Sequence, residues 1–211
     1  MAAGRGQFVS RAGDKLDAAL DAFGLDVAGS VCADFGCNVG GFTDCLLARG
    51  AAKVYAVDTG YGALAWRLRR DGRVAVMERT NALHTYPPEP VDLVTIDVAW
   101  TQQERIIPAA MRWLKAASGR IVSLLKPHYE LTKMRKAKPA AALSEAQARA
   151  VCLEVCRRLT EIGCAPEAVV QSAITGKGGN LEFLLLLRAA EAAPARPEQG
   201  RPVRMNRSNT C

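Results

Sequence analysis

The sequence predicts an α/β fold: a mostly parallel, Rossmann-like sheet of seven strands with helices on both faces and an antiparallel last strand. Short apolar segments alternate with helix-like segments along most of the chain, which is typical of strand–helix–strand units. The strand segments are apolar on both faces, as buried parallel strands are. The letters TGKGG separate the last two strand segments and predict a hairpin-like connection.

The first half of the chain predicts three helices and three strands. Residues 10–25 have the apolar period of an amphipathic helix that Gly24 can end. Its apolar face carries Leu16, Ala19, Leu20 and Phe23. GGFTDCLLARG predicts a second helix ending at Gly50, and ALAWRLRRDG predicts a third. The strands of this half are residues 31–36, 53–58 and 73–78.

The second half continues the alternation and closes with the hairpin. Residues 103–116 are expected to be helical, with Pro108 acceptable if it lies in the first turn. Ser144 and Gln147 have the spacing of a capping box that opens a long helix. That helix carries Val151, Val155, Leu159 and Ile162. The strands of this half are residues 91–98, 119–126, 167–174 and 180–188.

Length and charge indicate one basic domain followed by a tail. Residues 1–190 are predicted to form the domain, and residues 191–211, which have few apolar anchors, a disordered basic tail. The 211-residue chain has a net charge of +7, and part of the excess is clustered at Lys133, Arg135, Lys136 and Lys138. Clustered cations favour a phosphate-rich partner such as RNA.

Composition also argues against several other classes of protein. No apolar run approaches the length of a membrane span, and the first residues lack the apolar core of a secretory signal. The seven cysteines show no C-x-x-C pair, so a reducing cytoplasm is expected. Cys152 and Cys156 lie one helical turn apart, but we interpret them as small residues on a buried helix face and predict no metal site.

The stretch ADFGCNVGGFTD has the position of a nucleotide-binding loop but not the spacing of a dinucleotide fingerprint. Gly36 is followed by three other residues and then by Gly40 and Gly41, with Asp34 two places before the first glycine. A carboxylate there would repel a pyrophosphate. S-adenosylmethionine carries a sulfonium and an ammonium instead, so Asp34 would favour its amino-acid end. The loop therefore predicts S-adenosylmethionine rather than NAD, with the glycines letting the backbone approach it closely.

Two further residues at strand ends complete the predicted cofactor site. Asp58 ends the second strand, where a carboxylate can accept hydrogen bonds from ribose hydroxyls. That role is shared with dinucleotide enzymes, so Asp58 alone does not discriminate between the cofactors. Asn81, just past the third strand, is the predicted contact to the adenine amino group.

Four charged residues stand in otherwise apolar surroundings and are candidates for catalysis. They are Lys15, Asp97, Lys126 and Glu182. Charged groups in such segments seldom lack partners. Two buried salt bridges without a catalytic role are the alternative interpretation.

The order Lys, Asp, Lys, Glu on this fold resembles the tetrad of FtsJ-like RNA ribose 2′-O-methyltransferases, and more closely the methyltransferase domain of the TlyA (hemolysin A) family, which acts on ribosomal RNA. The similar stretches include SRAGDKLDAALDAFGLDV, ERTNA, VDLVTIDVAW, LLKPHYE and ITGKGGNLEFLL. The resemblance implies that residues 1–190 are a methyltransferase domain that binds S-adenosylmethionine through Asp34 to Gly41, Asp58 and Asn81. It implies catalysis by Lys15, Asp97, Lys126 and Glu182.

The chain departs from the family pattern in three places. TlyA-type proteins carry an S4-like RNA-binding domain before the helix that begins here near Ser10, and we expect none in this chain. AWTQQ follows Asp97 where an apolar stretch is usual, and His128 stands where glutamine is common. The catalytic core is therefore expected to transfer from the family, whereas the identity of the RNA target is not.

The expected mechanism centres on Lys126, which would contact a ribose 2′-hydroxyl and either accept its proton or orient its oxygen. Asp97 would hold Lys126, and Lys15 and Glu182 would complete the cluster. A small-molecule O-methyltransferase and a catalytically idle RNA-binding or ribosome-assembly factor on the same fold remain as alternatives.

Overall fold

The computed structural model describes residues 7–99, 101–116, 118–135 and 142–189. Lys136 and Lys138 of the predicted basic cluster and the predicted tail at 191–211 lie outside these residues. The strands of the described part are β1 (Val31–Phe35), β2 (Lys53–Val57), β3 (Val74–Met77), β4 (Leu93–Ile96), β5 (Arg120–Leu125), β6 (Cys164–Gln171) and β7 (Phe183–Ala189). The helices are α1 (Arg11–Phe23), α2 (Gly41–Ala48), α3 (Trp66–Arg69), α4 (Gln103–Met111), α5 (Pro127–Arg135) and α6 (Glu145–Glu161).

The strands form one sheet in the order β3-β2-β1-β4-β5-β7-β6. The first five strands of the chain pair in parallel, and β7 lies antiparallel between β5 and β6. The predicted fold class, including the antiparallel last strand, is confirmed. The order reverses between β1 and β4, and in an open α/β sheet such a switch point is where ligands bind.

Each face of the sheet has its own hydrophobic core. On one face, α1 and α2 cover the sheet, and Leu16 of α1 is fully buried. On the other face, α4 and α6 bury Ile107 and Leu159. Trp113 follows α4 and lies edge-on to Phe35 of β1, with ring centroids 5.1 Å apart. Because helices cover the centre of both faces, the carboxyl ends of the central strands are where the described residues leave room for a ligand.

The helix that carries Lys15 is well defined at both ends. Ser10 caps α1 by accepting a hydrogen bond from the Ala12 N–H, and Gly24 ends it in the left-handed conformation at φ 61°. Arg49 after α2 donates to the Asp17 carboxylate at 2.6 Å and to its backbone oxygen at 2.9 Å. These contacts hold α1 against α2 and so fix the direction of Lys15.

The predicted capping box at α6 is present. Ser144 Oγ accepts from the Gln147 N–H at 3.3 Å, and Gln147 Oε1 accepts from the Ser144 N–H at 3.0 Å. Cys152 lies on the buried face and Cys156 is half-buried. Ile162 is the C-terminal cap residue and is 40% exposed, so it does not belong to the buried face.

Three local expectations differ from the structure. The third helix is a single turn, because Leu64 precedes it and packs with Leu68 over Gly40. Pro108 lies in the interior of α4 rather than in its first turn, and burial of the neighbouring Ile107 holds the helix together. The segment after β5, for which the sequence predicted no helix, begins as helix α5.

Helix α5 was not apparent because its sequence has a weak apolar period, which is the main sequence signal for a helix. Pro127 is well suited to its first position. The buried Glu130 carboxylate accepts the Gln103 N–H at 2.9 Å, which joins α5 to the start of α4. Burial raises the pKa of Glu130. A tertiary contact, not a local pattern, therefore specifies this helix.

Among the described residues, no helix is long and apolar enough to cross a membrane. The same residues contain no group of three or more His, Cys, Asp and Glu side chains that could hold a metal ion.

Candidate functional site

The candidate site is a cleft at the carboxyl ends of the strands, on the switch point between β1 and β4. It consists of a cavity of about 330 Å³ and a second of about 160 Å³. Gly36, Asn38, Asp97 and Ala99 line both cavities, which makes them neighbours in one cleft. The larger cavity contains Asp58 and Asn81, and the smaller one contains Lys126.

Asp58 is held by backbone amides at the rim of the larger cavity. Its carboxylate accepts from the Asn38 N–H at 2.8 Å and from the Gly60 N–H at 2.7 Å. Asn38 adopts a positive φ of 48°, which aims its N–H at this carboxylate. The two amides fix the orientation of Asp58, which forms no ion pair within the described part of the chain, so its oxygens remain available to hydroxyl donors.

Asn81 lies in the same cavity and is exposed. Its Oδ1 accepts from the Leu83 N–H at 3.0 Å, which turns the chain after Thr80. An amide oxygen has two lone pairs, so Oδ1 can accept a second hydrogen bond, which a contact to an adenine amino group requires. The position is compatible with the predicted adenine contact, which stays a prediction.

Asp34 is fully buried beneath the smaller cavity. Oδ2 accepts from the Thr43 N–H at 2.9 Å and from the Thr43 hydroxyl at 2.7 Å, and the Thr95 hydroxyl lies 3.2 Å from Oδ1. Burial raises the pKa of Asp34 to about 7, and the negative charge of Asp97 adds to this effect, whereas the bonds from Thr43 oppose it. Asp34 therefore ties α2 to the sheet; its predicted contact with the amino-acid end of a cofactor stays a prediction.

The three glycines of the loop are required by the fold itself. A Cβ on Gly36 would lie 2.7 Å from the backbone oxygen of Asp97, and one on Gly40 would lie 2.3 Å from Leu68. A Cβ on Gly41 would lie 2.2 Å from Ser10 Oγ. These contacts bring β1, β4 and the start of α1 together around the loop. The structure thus explains these three glycines by internal packing. That they also let the backbone approach a ligand stays a prediction.

Lys126 and Asp97 form an ion pair at the ends of β5 and β4. Lys126 Nζ lies 2.5 Å from Asp97 Oδ1, and the side chains are 15% and 22% exposed. β4 and β5 are parallel neighbours, so both residues leave the sheet at the same edge. The pair therefore lies where the smaller cavity opens.

Lys15 and Glu182 form a second ion pair, with Nζ and Oε2 2.5 Å apart and side-chain exposures of 12% and 4%. Glu182 immediately precedes β7, whose Phe183 pairs with Leu125 of β5. The two strands are antiparallel, so Lys126, which follows Leu125, lies opposite Glu182, which precedes Phe183. The structure thus brings the four predicted catalytic residues together as two adjacent ion pairs.

His128 lies close to both pairs and was not assigned a role from the sequence. Burial lowers the pKa of its imidazole, the Glu182 carboxylate opposes this, and Lys126 reinforces it. Its Nδ1 is buried and has no hydrogen-bond partner among the described residues. The ring packs against Tyr129 with centroids 4.1 Å apart.

Thr43, Thr95 and Asn38 were missed by sequence reasoning, although they position Asp34 and Asp58, the two acidic residues of the predicted cofactor site. Thr43 and Thr95 appear in the sequence as ordinary helix and strand residues. The pairing of β1 with β4 places Thr95 beside Asp34, and the packing of α2 on the sheet brings Thr43 to the same carboxylate. The positive φ of Asn38 has a weak sequence signal, because Asn adopts this conformation more readily than most residues.

An exposed surface of aromatic and cationic side chains borders the larger cavity. The Arg79 guanidinium stacks on Tyr61, with Cζ 4.2 Å from the ring centroid. Tyr61 and Trp66 are 71% and 72% exposed. Arg67 is 59% exposed and forms an ion pair with Asp44. Aromatic faces beside arginines are suited to stacking on unpaired bases and contacting phosphates.

Comparison with known proteins shows what the chain is similar to. The family model described as FtsJ-like methyltransferase matches residues 8–189. The 16S/23S rRNA (cytidine-2′-O)-methyltransferase TlyA of Mycobacterium tuberculosis is 43% identical over 185 residues, which cover 86% of this chain and 68% of that protein. Hemolysin A of Brachyspira hyodysenteriae is 32% identical over 182 residues, covering 84% and 75%.

Solved structures agree with these matches. The crystal structure of a protein of Lactococcus lactis described as a hemolysin superposes with a TM-score of 0.80 at 33% identity, covering 87% of this chain and 89% of that one. The N-methyltransferase NodS of Bradyrhizobium japonicum superposes with a TM-score of 0.60 at 19% identity, covering 86% and 95%. At that identity the likeness concerns the fold alone.

Proposed function

The chain belongs to the FtsJ-like methyltransferase family, and from that premise we propose that it transfers a methyl group from S-adenosylmethionine to a ribose 2′-hydroxyl of ribosomal RNA. The observation that carries the proposal is the Lys126–Asp97 ion pair in a cleft whose other end carries Asp58, with the Lys15–Glu182 pair adjacent to it through the pairing of β5 with β7. Cofactor binding alone would not require this charge cluster.

The residues of the larger cavity fit the cofactor. Asp58 would offer its carboxylate oxygens to the two ribose hydroxyls, and Asn81 Oδ1 would accept from the adenine amino group through its second lone pair. When bound, S-adenosylmethionine supplies a methyl group on a positively charged sulfur. The cleft carries no cation at the Asp58 end that would oppose this charge among the described lining residues.

Lys126 would contact the attacking 2′-hydroxyl. In its ion pair with Asp97 it is an ammonium with three donors and no acceptor. As an ammonium it can only donate to the 2′-oxygen and so orient a lone pair of that oxygen. To take the proton itself, Lys126 would first have to lose one. Lys15 and Glu182 would fix the electrostatic surroundings of this contact.

The surface formed by Tyr61, Arg79, Trp66 and Arg67 supports an RNA substrate rather than a small molecule. It lies beside the cofactor cavity and offers exposed rings and guanidinium groups. A small-molecule methyltransferase would need an enclosed apolar pocket around its acceptor. A ribosomal substrate and the free cysteines of the described chain also fit a cytoplasmic location.

A methylation assay tests the proposal. Purified protein is incubated with methyl-labelled S-adenosylmethionine and with ribosomal subunits or naked ribosomal RNA from a strain lacking the gene. We expect label in nucleotides that resist alkaline cleavage, because a methylated 2′-oxygen cannot attack the neighbouring phosphate. Label confined to bases, or cofactor binding without any transfer to RNA, would contradict the proposal; the second result would favour an idle RNA-binding factor.

A further inference from the structure

We propose that Gly176 is a positioning residue for the reaction: the absence of a side chain there leaves the space in which the Glu182 carboxylate meets Lys15. This inference rests on the proposed function, since it concerns a carboxylate of the proposed catalytic cluster. Gly176 lies in the connection between β6 and β7, six positions before Glu182.

Backbone hydrogen bonds hold this connection at Gly176 and at Glu182. The Gly176 N–H donates to the Asn180 oxygen at 2.9 Å, and the Gly176 oxygen accepts from the Gly179 N–H at 3.2 Å. The Glu182 oxygen accepts from the Ser172 N–H at 2.9 Å, which continues the pairing of β6 with β7. Neither backbone segment can therefore move away easily from the other.

Conformation does not explain why residue 176 is a glycine. Its φ and ψ are −71° and −174°, which is extended backbone that any residue adopts. Gly178 and Gly179, by contrast, have φ angles of 74° and 77° and need glycine for that reason. The requirement at Gly176 is one of space.

The space is occupied by the Glu182 side chain. A Cβ on Gly176 would lie 2.1 Å from Oε1, 2.6 Å from Cδ and 3.2 Å from Cγ of Glu182. The other carboxylate oxygen, Oε2, is bound to Lys15 Nζ at 2.5 Å. Because both backbone segments are held, the clash of an added methyl group with Glu182 is relieved by turning the carboxylate away from Lys15. Because Glu182 and Lys126 are neighbours, that movement would change the field at the proposed reaction centre.

The experiment compares Gly176→Ala with Gly72→Ala. Gly72 lies before β3 at the opposite edge of the sheet, has no atom within 4 Å of a built Cβ, and does not have a positive φ. We expect Gly176→Ala to lower kcat about 100-fold, the loss associated with a displacement of roughly 1 Å at a reaction centre, and to leave the Kd for S-adenosylmethionine unchanged. Gly72→Ala should match the wild type in both. Wild-type kcat in Gly176→Ala would overturn the inference.

A double variant tests whether Gly176 acts through Glu182. Glu182→Asp withdraws the carboxylate by one methylene and should lower kcat by itself. In the Gly176→Ala background the same change should cost much less, because the carboxylate is already displaced. Two losses that simply multiply would overturn the inference and indicate an effect elsewhere in the connection.

Failure of the proposed function gives a different result. If wild type and Gly72→Ala both bind S-adenosylmethionine but methylate no ribose, the proposed function has failed. A crystal structure of Gly176→Ala then decides the positioning claim: a Glu182 carboxylate turned away from Lys15 supports it, and an unchanged contact of 2.5 Å overturns it.

Discussion

The two halves of the cleft hold their carboxylates in different ways. In the half proposed to bind the cofactor, called here the cofactor half, Asp58 is bound by backbone N–H groups and Asp34 by the amide and hydroxyl of Thr43 and by Thr95, all neutral donors. In the half proposed for catalysis, called here the catalytic half, Asp97 and Glu182 are each bound by a lysine ammonium. The first half holds its carboxyl groups with neutral dipoles: Asp58 keeps lone pairs for a ligand, and burial favours the protonated form of Asp34. The second half depends on pairs of opposite charges.

The difference also extends to distance along the chain. Asp58 and Asn38 are 20 positions apart, and Asp34 and Thr43 are nine apart. Lys126 and Asp97 are 29 positions apart, and Lys15 and Glu182 are 167 apart. The cofactor half is thus built largely from neighbouring loops of one strand–helix–strand segment. The catalytic half exists only when β4, β5, β7 and α1 meet.

The largest expected effect is on turnover, in the catalytic half. Lys126→Ala should lower kcat by about 10²–10⁴-fold, the usual contribution of a group that manages the proton of a nucleophile. The Kd for S-adenosylmethionine, measured by calorimetry, should change little. Lys115→Ala is the control, since Lys115 pairs with Asp92 at the opposite edge of the sheet. Methylation by Lys126→Ala at the wild-type rate would contradict the proposal that one half of the cleft serves turnover and the other serves cofactor binding.

The next effect concerns stability in the catalytic half. Glu182→Gln leaves the Lys15 ammonium buried without its countercharge, which should lower the free energy of unfolding by about 3–5 kcal/mol. Urea denaturation at pH 7 measures it. Glu145→Gln removes an exposed pair with Arg149 and should cost about 0–1 kcal/mol. Equal losses for the two variants would show that the Lys15–Glu182 pair behaves as a surface pair.

The same acid-to-amide change should have the opposite sign in the cofactor half. Burial raises the pKa of Asp34 to about 7, above the value of about 3.9 for an unfolded chain. The stability linked to this proton is fully present below about pH 4 and is lost as the pH rises through 7.

Asp34→Asn, which mimics the protonated acid, should therefore match the wild type at pH 4. By pH 8 the variant should be more stable than the wild type by up to about 4 kcal/mol. Denaturation of both proteins from pH 4 to 8 provides the measurement. A stability difference that does not change with pH would show that Asp34 is ionised in the folded protein throughout this range.

The smallest expected effect is on cofactor affinity. Asp58→Ala removes hydrogen bonds to a charged group, worth about 1.5–3 kcal/mol, so the Kd for S-adenosylmethionine should rise about 10–100-fold. At saturating cofactor, kcat should be nearly unchanged, because Asp58 lies in the cavity away from Lys126. Asp26→Ala, an exposed change before β1, is the matched control. A fall in kcat with unchanged Kd would place Asp58 in the catalytic half instead.

Several elements could be predicted because their signals are local. The cap residue Gly24, the capping box of Ser144 and the strands apolar on both faces each depend on a few adjacent residues. Helix α5 could not be predicted in this way, since the burial of Glu130 against α4 stabilises it. Pro108 was considered acceptable only in a first turn, but it lies inside α4, where packing of its neighbours outweighs its missing hydrogen bond.

By itself, the sequence determined the α/β class, the order of the strands and of the helices other than α5, the glycine loop between β1 and α2, and the family to which the chain belongs. Periodicity, caps and glycine spacing express these features within short windows. The tertiary structure decided which charges became partners, that Asp34 is buried and Asp58 accessible, and that Gly176 makes room for Glu182. These properties depend on burial and on distances between residues far apart in the chain, and such distances exist only after the sheet has formed.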